Sequence, residues 1–383
     1  MKPGWDIITG EYPPQLGGVS DYTRVVAEAL ANADVAVHVW CPETRKSGQP
    51  SAGVKIHRPF RHFSLSALMG LGRDLSQRPT PSRLLVQYTP NAFGYKGCNL
   101  WFCFWLLWRA RVRGDEVRVM FHEPYFYFAR QSFARNGLAL LHRVMAVVLL
   151  LASSKVYMSI PAWEKLLRPF ALGRGVKFIW LPIPSTIISD PNPGASDGLA
   201  RTWREKTGAR WLIGHFGTYG DHVRGLLDPA LRQILKDIPT AGFVALGQNS
   251  DKFVQQLAVE EPSLASRLVA TGSLDSTDVA DALRACDVIV QPFPDGASSR
   301  RTSLMAGLAC GVATVTTSGW LTEPVWSQQT AVSLVPQGDA VAISAAVQRL
   351  LSNDELRQQS AAGAAEFYQQ NFSVERTVKL LAA

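Results

Sequence analysis

The sequence predicts an α/β protein with two Rossmann-like domains that face each other across a cleft. Short apolar strands alternate with helical segments along the whole chain, which is the pattern of parallel sheets covered by helices on both faces. A proline-rich stretch near residue 190 interrupts the alternation once, and the pattern then restarts. A chain of 383 residues is also too long for one ordinary core.

Seven strands are expected in the first half, at residues 5–9, 35–40, 54–57, 84–88, 117–121, 155–159 and 176–181. A loop rich in proline and glycine follows the first strand and ends in Gly17 and Gly18. Ser20 or Asp21 is predicted to be the N-cap of the next helix. Glycines at this place let the backbone approach a phosphate or sugar closely, although an ordinary turn uses the same residues.

Residues 183–205 are predicted to link a domain at 1–182 to a domain at 206–365, because residues 181–198 carry four prolines and little periodicity. Six strands are expected in the second domain, at residues 211–216, 241–246, 268–271, 288–291, 313–316 and 331–334. The chain ends in helical sequence with a break near residues 371–373.

The formal charge of +8 is unevenly distributed. Residues 1–180 contain 23 Lys and Arg against 11 Asp and Glu, a balance of +12, and the remaining residues contain 16 against 20, a balance of −4. A basic half favours an anionic partner, and the absence of zinc-finger spacing or an RNA-binding aromatic motif argues against nucleic acid. Five cysteines without metal-ligand spacing predict reduced thiols and no metal site.

No signal peptide is recognisable at the N-terminus, so a cytoplasmic location is expected, with the inner face of the membrane as the place of a peripheral contact. Residues 98–113 form an apolar helix with Trp101, Trp105 and Trp108 at i, i+4 and i+7, and with arginines at its end. Aromatic rings followed by cations suit a helix at a membrane interface. A core helix with inward tryptophans explains the sequence equally well.

Polar residues follow the predicted strands at their carboxyl ends, where doubly wound sheets bind ligands. His122 follows a strand of the first domain and can orient a sugar or, when charged, donate a proton to a leaving phosphate. Gly217 and Thr218 precede a helix that carries Arg224, a candidate for binding phosphate oxygens. Asp295, between Pro and Gly, can accept hydrogen bonds from sugar hydroxyls or simply form a turn.

Residues 288–317 form a βαβ unit in which every polar side chain lies between the first strand and the first turn of a helix that opens on Ser298. Backbone N–H groups at a helix start favour an anion. The candidate ligands of a diphosphate are Ser298, Ser299, Arg300, Arg301 and Ser303. A serine N-cap followed by two solvated arginines is the plainer alternative.

The chain resembles the retaining glycosyltransferases of family 4, which have the GT-B fold, over nearly its full length. The resemblance lies in the motifs PPQLGGVSDYT, HEP, GTYG followed by Arg224, and PFPDGASSRRTSLMAGLACGVATVTT. It implies a nucleotide-diphosphate sugar as donor substrate, with no metal and no tightly bound cofactor. It implies that Gly17 and Gly18 approach the donor or acceptor, and that His122 contacts the donor sugar. The final helical segment, residues 366–383, is expected to cross back to the first domain.

One departure from the family pattern concerns two glutamates, eight positions apart, that contact the sugar and the nucleotide ribose. Ser298 and Ala306 stand at those two positions. Asp295 is the expected substitute for the sugar contact, with Arg301 and its neighbours binding the diphosphate.

These features predict a retaining hexosyltransferase that acts on a glycan or lipid-linked acceptor. Arg224, Arg301, His122 and Asp295 are the expected catalytic residues. Two alternatives stay open on the sequence: a nucleotide-sugar epimerase or phosphorylase of the same fold, and a catalytically decayed protein that binds a membrane surface.

Overall fold

The computed structural model describes residues 4–15, 17–44, 51, 53–77, 82–94, 97–130, 132–187, 190–327 and 331–383. The chain divides into two compact units. The first comprises Met1–Pro182 together with Val374–Ala383, and the second comprises Ile183–Ser373. Each unit is built on one parallel sheet, as the alternating sequence pattern predicts.

The sheet of the first unit has seven strands in the order β3-β2-β1-β4-β5-β6-β7. They are β1 (Trp5–Thr9), β2 (Val37–Trp40), β3 (Val54–His57), β4 (Arg83–Tyr88), β5 (Glu116–Phe121), β6 (Lys155–Met158) and β7 (Lys177–Trp180). All neighbouring strands pair in parallel. The seven predicted strands are therefore all present. The strand order reverses between β1 and β4, where the chain starts to add strands on the other side of β1.

Among the described residues of this unit, the α-helices between these strands are α1 (Gly18–Asn32), α2 (Leu65–Ser76), α3 (Leu100–Val112), α4 (Phe133–Ala152) and α5 (Ala162–Leu167). The prediction of Ser20 or Asp21 as N-cap of α1 is wrong, because the helix begins at Gly18. The Glu11 carboxylate accepts the backbone N–H of Ser20 at 3.1 Å, so a side chain from the preceding loop caps the first turn.

The helix α4 begins at Phe133, where Ser132 caps it by accepting the N–H of Arg135. Its 20 residues make it the one helix, among the residues that the structure describes, with the length and apolar composition of a membrane span. One side of α4 is buried in the unit, with Ala139, Met145 and Leu149 in the core.

The sheet of the second unit has six strands in the order β10-β9-β8-β11-β12-β13. They are β8 (Trp211–Phe216), β9 (Ala241–Leu246), β10 (Leu268–Ala270), β11 (Val288–Gln291), β12 (Thr314–Ser318) and β13 (Val332–Pro336). The helices of this unit are α6 (Pro193–Thr207), α7 (Asp221–Asp237), α8 (Ser250–Glu260), α9 (Ser276–Arg284), α10 (Thr302–Ala309), α11 (Ala340–Ser352) and α12 (Asp354–Asn371). Two apolar clusters cover the sheet, and all six predicted strands are present.

The helix α6 occupies most of the stretch that was predicted to be a linker. Pro193 stands at the start of the helix, where a missing N–H costs nothing, and Asn192 caps the helix by accepting the N–H of Ala195 at 3.3 Å. Ala200 and Trp203 are buried in the core of the second unit. One of the prolines that suggested a linker, Pro193, therefore marks a helix start.

A last helix, α13 (Val374–Ala382), packs on the first unit. Leu381 is fully buried there, and its carbonyl accepts a hydrogen bond of 2.8 Å from the Arg118 guanidinium. Lys155 donates to the carbonyl of Ala383 at 2.7 Å. The return segment therefore starts at Val374 in the structure, whereas the sequence placed its start at residue 366.

Candidate functional site

The order of strands in the second unit reverses between β8 and β11. Open parallel sheets bind ligands at the carboxyl ends of the two strands that flank such a reversal. The loop after β8 contains Gly217–Gly220, and the loop after β11 runs from Pro292 to Arg301. Most of the site residues predicted from the sequence of this half lie on these two loops.

Gln291 joins the ends of the two strands. Its amide nitrogen donates to the carbonyl of Phe216 at 3.0 Å, and its amide oxygen lies 3.5 Å from the hydroxyl of Ser303. Gln291 is fully buried at the end of β11. The sequence analysis missed this residue, although a lone polar residue that ends an apolar strand was the available signal.

The loop after β11 is held along its length by β12 and by the segment that follows it. The N–H of Phe293 donates to the Thr317 hydroxyl at 2.8 Å, and the N–H of Ala297 donates to the Thr317 carbonyl at 2.7 Å. The N–H of Leu321 donates to the carbonyl of Asp295 at 3.0 Å. The backbone that presents Arg300 and Arg301 is therefore fixed before any ligand binds.

Glu323 makes the last of these connections. Its carboxylate accepts the backbone N–H of Ser299 at 2.9 Å, the Ser299 hydroxyl, and the indole N–H of Trp326 at 2.6 Å. Burial raises the pKa of Glu323 above its usual value. Glu323 therefore anchors the loop after β11.

The expectation of a helix opening on Ser298 is wrong. The helix α10 begins at Thr302, with Arg301 as its N-cap residue. Because Ala297 and Ser299 donate their backbone N–H groups to the neighbouring segment, the chain becomes helical only beyond them. Ser298 is fully buried, and its hydroxyl oxygen has no hydrogen-bond partner.

Asp295 lies between the two arginines of the loop. One carboxylate oxygen pairs with Arg300 and the other with Arg301, and all three side chains are less than a quarter exposed. The Arg301 guanidinium also lies over the Phe293 ring, 4.8 Å from its centroid. The three charged groups carry a net charge of +1, so the loop attracts an anion, which the two guanidinium groups can bind when they turn towards it.

The loop after β8 leads into α7 through Tyr219, whose φ of 55° is uncommon for a residue other than glycine. Its hydroxyl donates to the His215 carbonyl at 2.8 Å, and its ring stacks on Phe253 at 4.9 Å. Arg224, in the first turns of α7, lies over the same Phe253 ring at 5.8 Å. Its Nε is buried without a partner, so Arg224 keeps an unused donor.

The backbone of Gly217 and Thr218 is hydrogen-bonded to the end of β9 and to the loop that follows it. The N–H of Gly217 donates to the carbonyl of Leu246 at 3.0 Å, and the carbonyl of Thr218 accepts from Asn249 at 3.3 Å. A side chain at Gly217 would come within 3.1 Å of the buried Nε2 of His215. The glycine therefore allows the backbone to lie close to the histidine.

His122 lies at the end of β5 in the first unit and is almost completely buried. Its Nε2 is 2.9 Å from the Gln87 amide oxygen, and the Tyr22 ring meets it edge-on at 4.8 Å. Burial lowers the pKa of His122 to about 3. Burial therefore favours the neutral imidazole, which suits orientation of a sugar better than donation of a proton, and both roles remain predictions.

Gly17 and Gly18 open α1 in the first unit. A side chain at Gly17 would clash with the Glu11 carboxylate at 2.4 Å, whereas Gly18 faces open space. Since Glu11 accepts the N–H of Ser20, a protein carboxylate already occupies part of this helix start. A ligand contact by these glycines remains a prediction.

In the described parts of the chain, no group of three or more His, Cys, Asp or Glu could hold a metal ion.

The fold and this arrangement define a class of protein. Residues 211–353, which cover the sheet of the second unit, match the family model described as Glycosyl transferases group 1. The likeness to solved GT-B glycosyltransferases extends over the whole chain. The chain therefore has the GT-B fold, as the resemblance in the sequence implied.

Particular solved structures are similar to the chain at low sequence identity. Sucrose-phosphate synthase (tll1590) from Thermosynechococcus elongatus has a TM-score of 0.73 and 16% identity, over 99% of this chain and 97% of that chain. Anabaena Alr3699/HepE, described in complex with UDP, has a TM-score of 0.68 and 14% identity, over 100% and 98%. WaaG, described as a glycosyltransferase involved in lipopolysaccharide biosynthesis, has a TM-score of 0.66 and 14% identity, over 99% and 98%. A sequence comparison with curated proteins gives no match.

Proposed function

We propose that this protein is a retaining glycosyltransferase that moves a hexosyl group from a nucleotide-diphosphate sugar to an acceptor hydroxyl. One observation carries the proposal: three arginines follow the two strands that flank the strand reversal of the second unit, Arg224 in the first turns of α7 and Arg300 and Arg301 on the loop after β11. The group 1 family match covers both loops. Similar folds are described with UDP and UDP-glucose bound, which supports a donor of this class.

The proposed reaction breaks the bond between the anomeric carbon and the diphosphate oxygen, whose electron pair leaves with the nucleoside diphosphate. Arg224, Arg300 and Arg301 stabilise the charge that develops on that diphosphate. The acceptor hydroxyl forms the new bond on the face that the diphosphate leaves, and its proton passes to a phosphate oxygen. Metal independence is part of the proposal, because the guanidinium groups neutralise the leaving group.

Asp295 has two successive roles in this proposal. Without a ligand it keeps both loop arginines paired. A diphosphate carries more negative charge than one carboxylate and offers more acceptor oxygens, so it competes for the same guanidinium groups. Arginines that turn to the diphosphate release the Asp295 carboxylate, which then accepts hydrogen bonds from sugar hydroxyls. In this way Asp295 takes over the sugar contact that a glutamate makes in the family pattern, at the position where this chain has Ser298.

The test is a screen of UDP-, GDP-, ADP- and dTDP-hexoses with the full chain, with donor hydrolysis and transfer to glycan and lipid-linked acceptors measured by mass spectrometry. Arg224→Ala and Arg301→Ala should each lower turnover of the productive donor by roughly 10²–10³-fold, the loss typical of one group that stabilises developing charge. Retention is read from the anomeric configuration of the product by NMR.

The matched control is Arg349→Ala, which removes an exposed arginine of the same unit. Its turnover should equal that of the parent. Parent-like turnover in both Arg224→Ala and Arg301→Ala would overturn the site. Conversion of the nucleotide sugar without acceptor or hydrolysis would indicate an epimerase, and a requirement for inorganic phosphate would indicate a phosphorylase.

A further inference from the structure

Large apolar side chains are exposed on α2, α3 and α4 in the first unit. We call them the aromatic face, which consists of Leu65, Met69, Trp101, Phe104, Trp108 and Leu140. These side chains are between 43% and 63% exposed, although Trp and Phe normally bury most of their area. The three α3 residues follow helical spacing and lie on one side of the helix.

The structure separates the two interpretations that the sequence left open for α3. Trp105 points into the core at 6% exposure, whereas Trp101 and Trp108 point outward at 63% and 43%. Arg109 does not reach the surface, because it is fully buried and paired with Asp115. A helix that served only the core would not leave two tryptophans and Phe104 in water.

A groove of about 530 Å³ opens on the aromatic face. Leu65 of α2 lines it together with Trp101 and Phe104 of α3, so the exposed sides of the two helices form one surface. The groove walls are mainly apolar, and such a groove suits hydrocarbon rather than a polar ligand.

The helices of the aromatic face carry more positive than negative charge. Neither α3 nor α4 contains an Asp or Glu, and α2 contains one residue of each sign, Arg73 and Asp74. Arg111 and Arg135 are exposed on α3 and α4, and Arg113 is exposed at the end of α3. Arginine side chains beside interfacial aromatic rings match phosphate headgroups above acyl chains. A second copy of the chain would bring two patches of the same positive charge together, since a twofold contact uses one patch on both subunits.

We propose that the aromatic face docks the protein on an anionic membrane surface. Trp101, Phe104 and Trp108 enter the boundary between headgroups and acyl chains, and the groove takes hydrocarbon from the outer part of the leaflet. Arg111 and Arg135 contact lipid phosphates. This inference concerns the first unit and does not depend on the reaction that the second unit carries out.

The test is co-sedimentation of the full chain with vesicles of phosphatidylcholine alone or with about one third phosphatidylglycerol, at about 50 mM and about 500 mM NaCl. The protein should bind the anionic vesicles and bind more weakly at high salt. Trp101→Ser with Trp108→Ser should weaken binding at least roughly tenfold at both salt concentrations, because apolar burial resists screening. Arg111→Gln with Arg135→Gln should weaken it at least roughly tenfold at low salt only, at roughly fivefold per charge.

The matched control is Val259→Ser with Val341→Ser, which removes two apolar side chains of 75% and 64% exposure from the second unit. This variant should bind vesicles like the parent. All variants alter exposed positions, so their urea midpoints should also equal the parent's. Equal binding by the tryptophan variant, or equal binding to neutral and anionic vesicles, would overturn the proposal. The proposal would also be overturned if the parent did not bind vesicles but formed a dimer that the tryptophan substitutions dissociate.

Discussion

The anchoring of the loop after β11 by Glu323 makes a prediction about stability and ligand binding together. Three donor groups converge on this buried carboxylate: the N–H and hydroxyl of Ser299 and the indole N–H of Trp326. Glu323→Gln keeps the shape of the side chain but replaces one acceptor oxygen by an NH₂ group that can only donate. At least one of the three donors then loses its partner in a buried place.

The expected cost follows from that count. One buried donor without a partner destabilises a fold by about 1–3 kcal/mol. Glu323→Ala would leave all three donors unpaired, at about 3–9 kcal/mol, which approaches the whole stability of a domain. The glutamine variant is therefore the informative one, because it folds and still loosens the loop. If nucleotide binding must restore the loop, the affinity for UDP falls by about 5- to 150-fold.

The assay combines urea denaturation followed by circular dichroism with calorimetric titration of UDP. Glu355→Gln, an exposed glutamate of α12, is the matched control and should change neither the midpoint nor the affinity. A Glu323→Gln variant with the parent's urea midpoint would refute the anchoring. A destabilised variant that binds UDP as tightly as the parent would refute the link between the anchor and the donor site.

Three further predictions follow from other contacts. Asp295→Asn should raise the affinity for UDP by up to about fivefold while turnover falls, because both loop arginines lose their internal partner; unchanged UDP affinity in calorimetry would contradict this. Burial lowers the pKa of His215 to about 4, whereas the pKa of histidine in the unfolded chain is near 6.5. The free energy of unfolding should therefore decrease as the pH falls below about 6.5, by about 2 kcal/mol at pH 5. In His215→Asn the free energy of unfolding from urea titration should lose about 2 kcal/mol less than in the parent between pH 8 and pH 5. The same pH dependence in variant and parent would be inconsistent with a neutral buried imidazole. Asp115→Asn should destabilise the first unit by about 3–5 kcal/mol in urea titration because Arg109 would keep a buried charge alone, and a loss below about 1 kcal/mol would argue against the pair.

The strands could be predicted from the sequence because each is a short apolar run that ends in turn-forming residues. The helix starts at Gly18 and Pro193 could not, since their caps depend on side chains whose direction the local sequence leaves open. Glu11 caps α1 from nine residues before Ser20. Asn192 and Pro193 are typical of a linker in the sequence. Only the structure shows that the helix they begin, α6, packs Trp203 into the core of the second unit.

The candidate site was predictable as a place but not as a set of contacts. The strand-end rule located the loops after β8 and β11, which lead to Arg224 in α7 and to Arg301. It could not locate the partner of Ser299, because Glu323 lies 24 residues further along the chain. The three tryptophans of α3 lie within roughly 60° of one another on the helix, so periodicity alone could not tell that Trp105 falls on the buried side.

The carboxylates of the second unit show how a site can differ from its family pattern and still remain ordered. Neither family glutamate position carries a carboxylate, and the buried hydroxyl of Ser298 has no hydrogen-bond partner there. The two carboxylates that the structure does place at the loop have separate tasks, since Glu323 fixes the backbone and Asp295 holds the arginines. A loop fixed by Glu323 does not need Asp295 for its shape. The side chain of Asp295 can therefore change partners while the backbone stays in place, as the proposed exchange with a diphosphate requires.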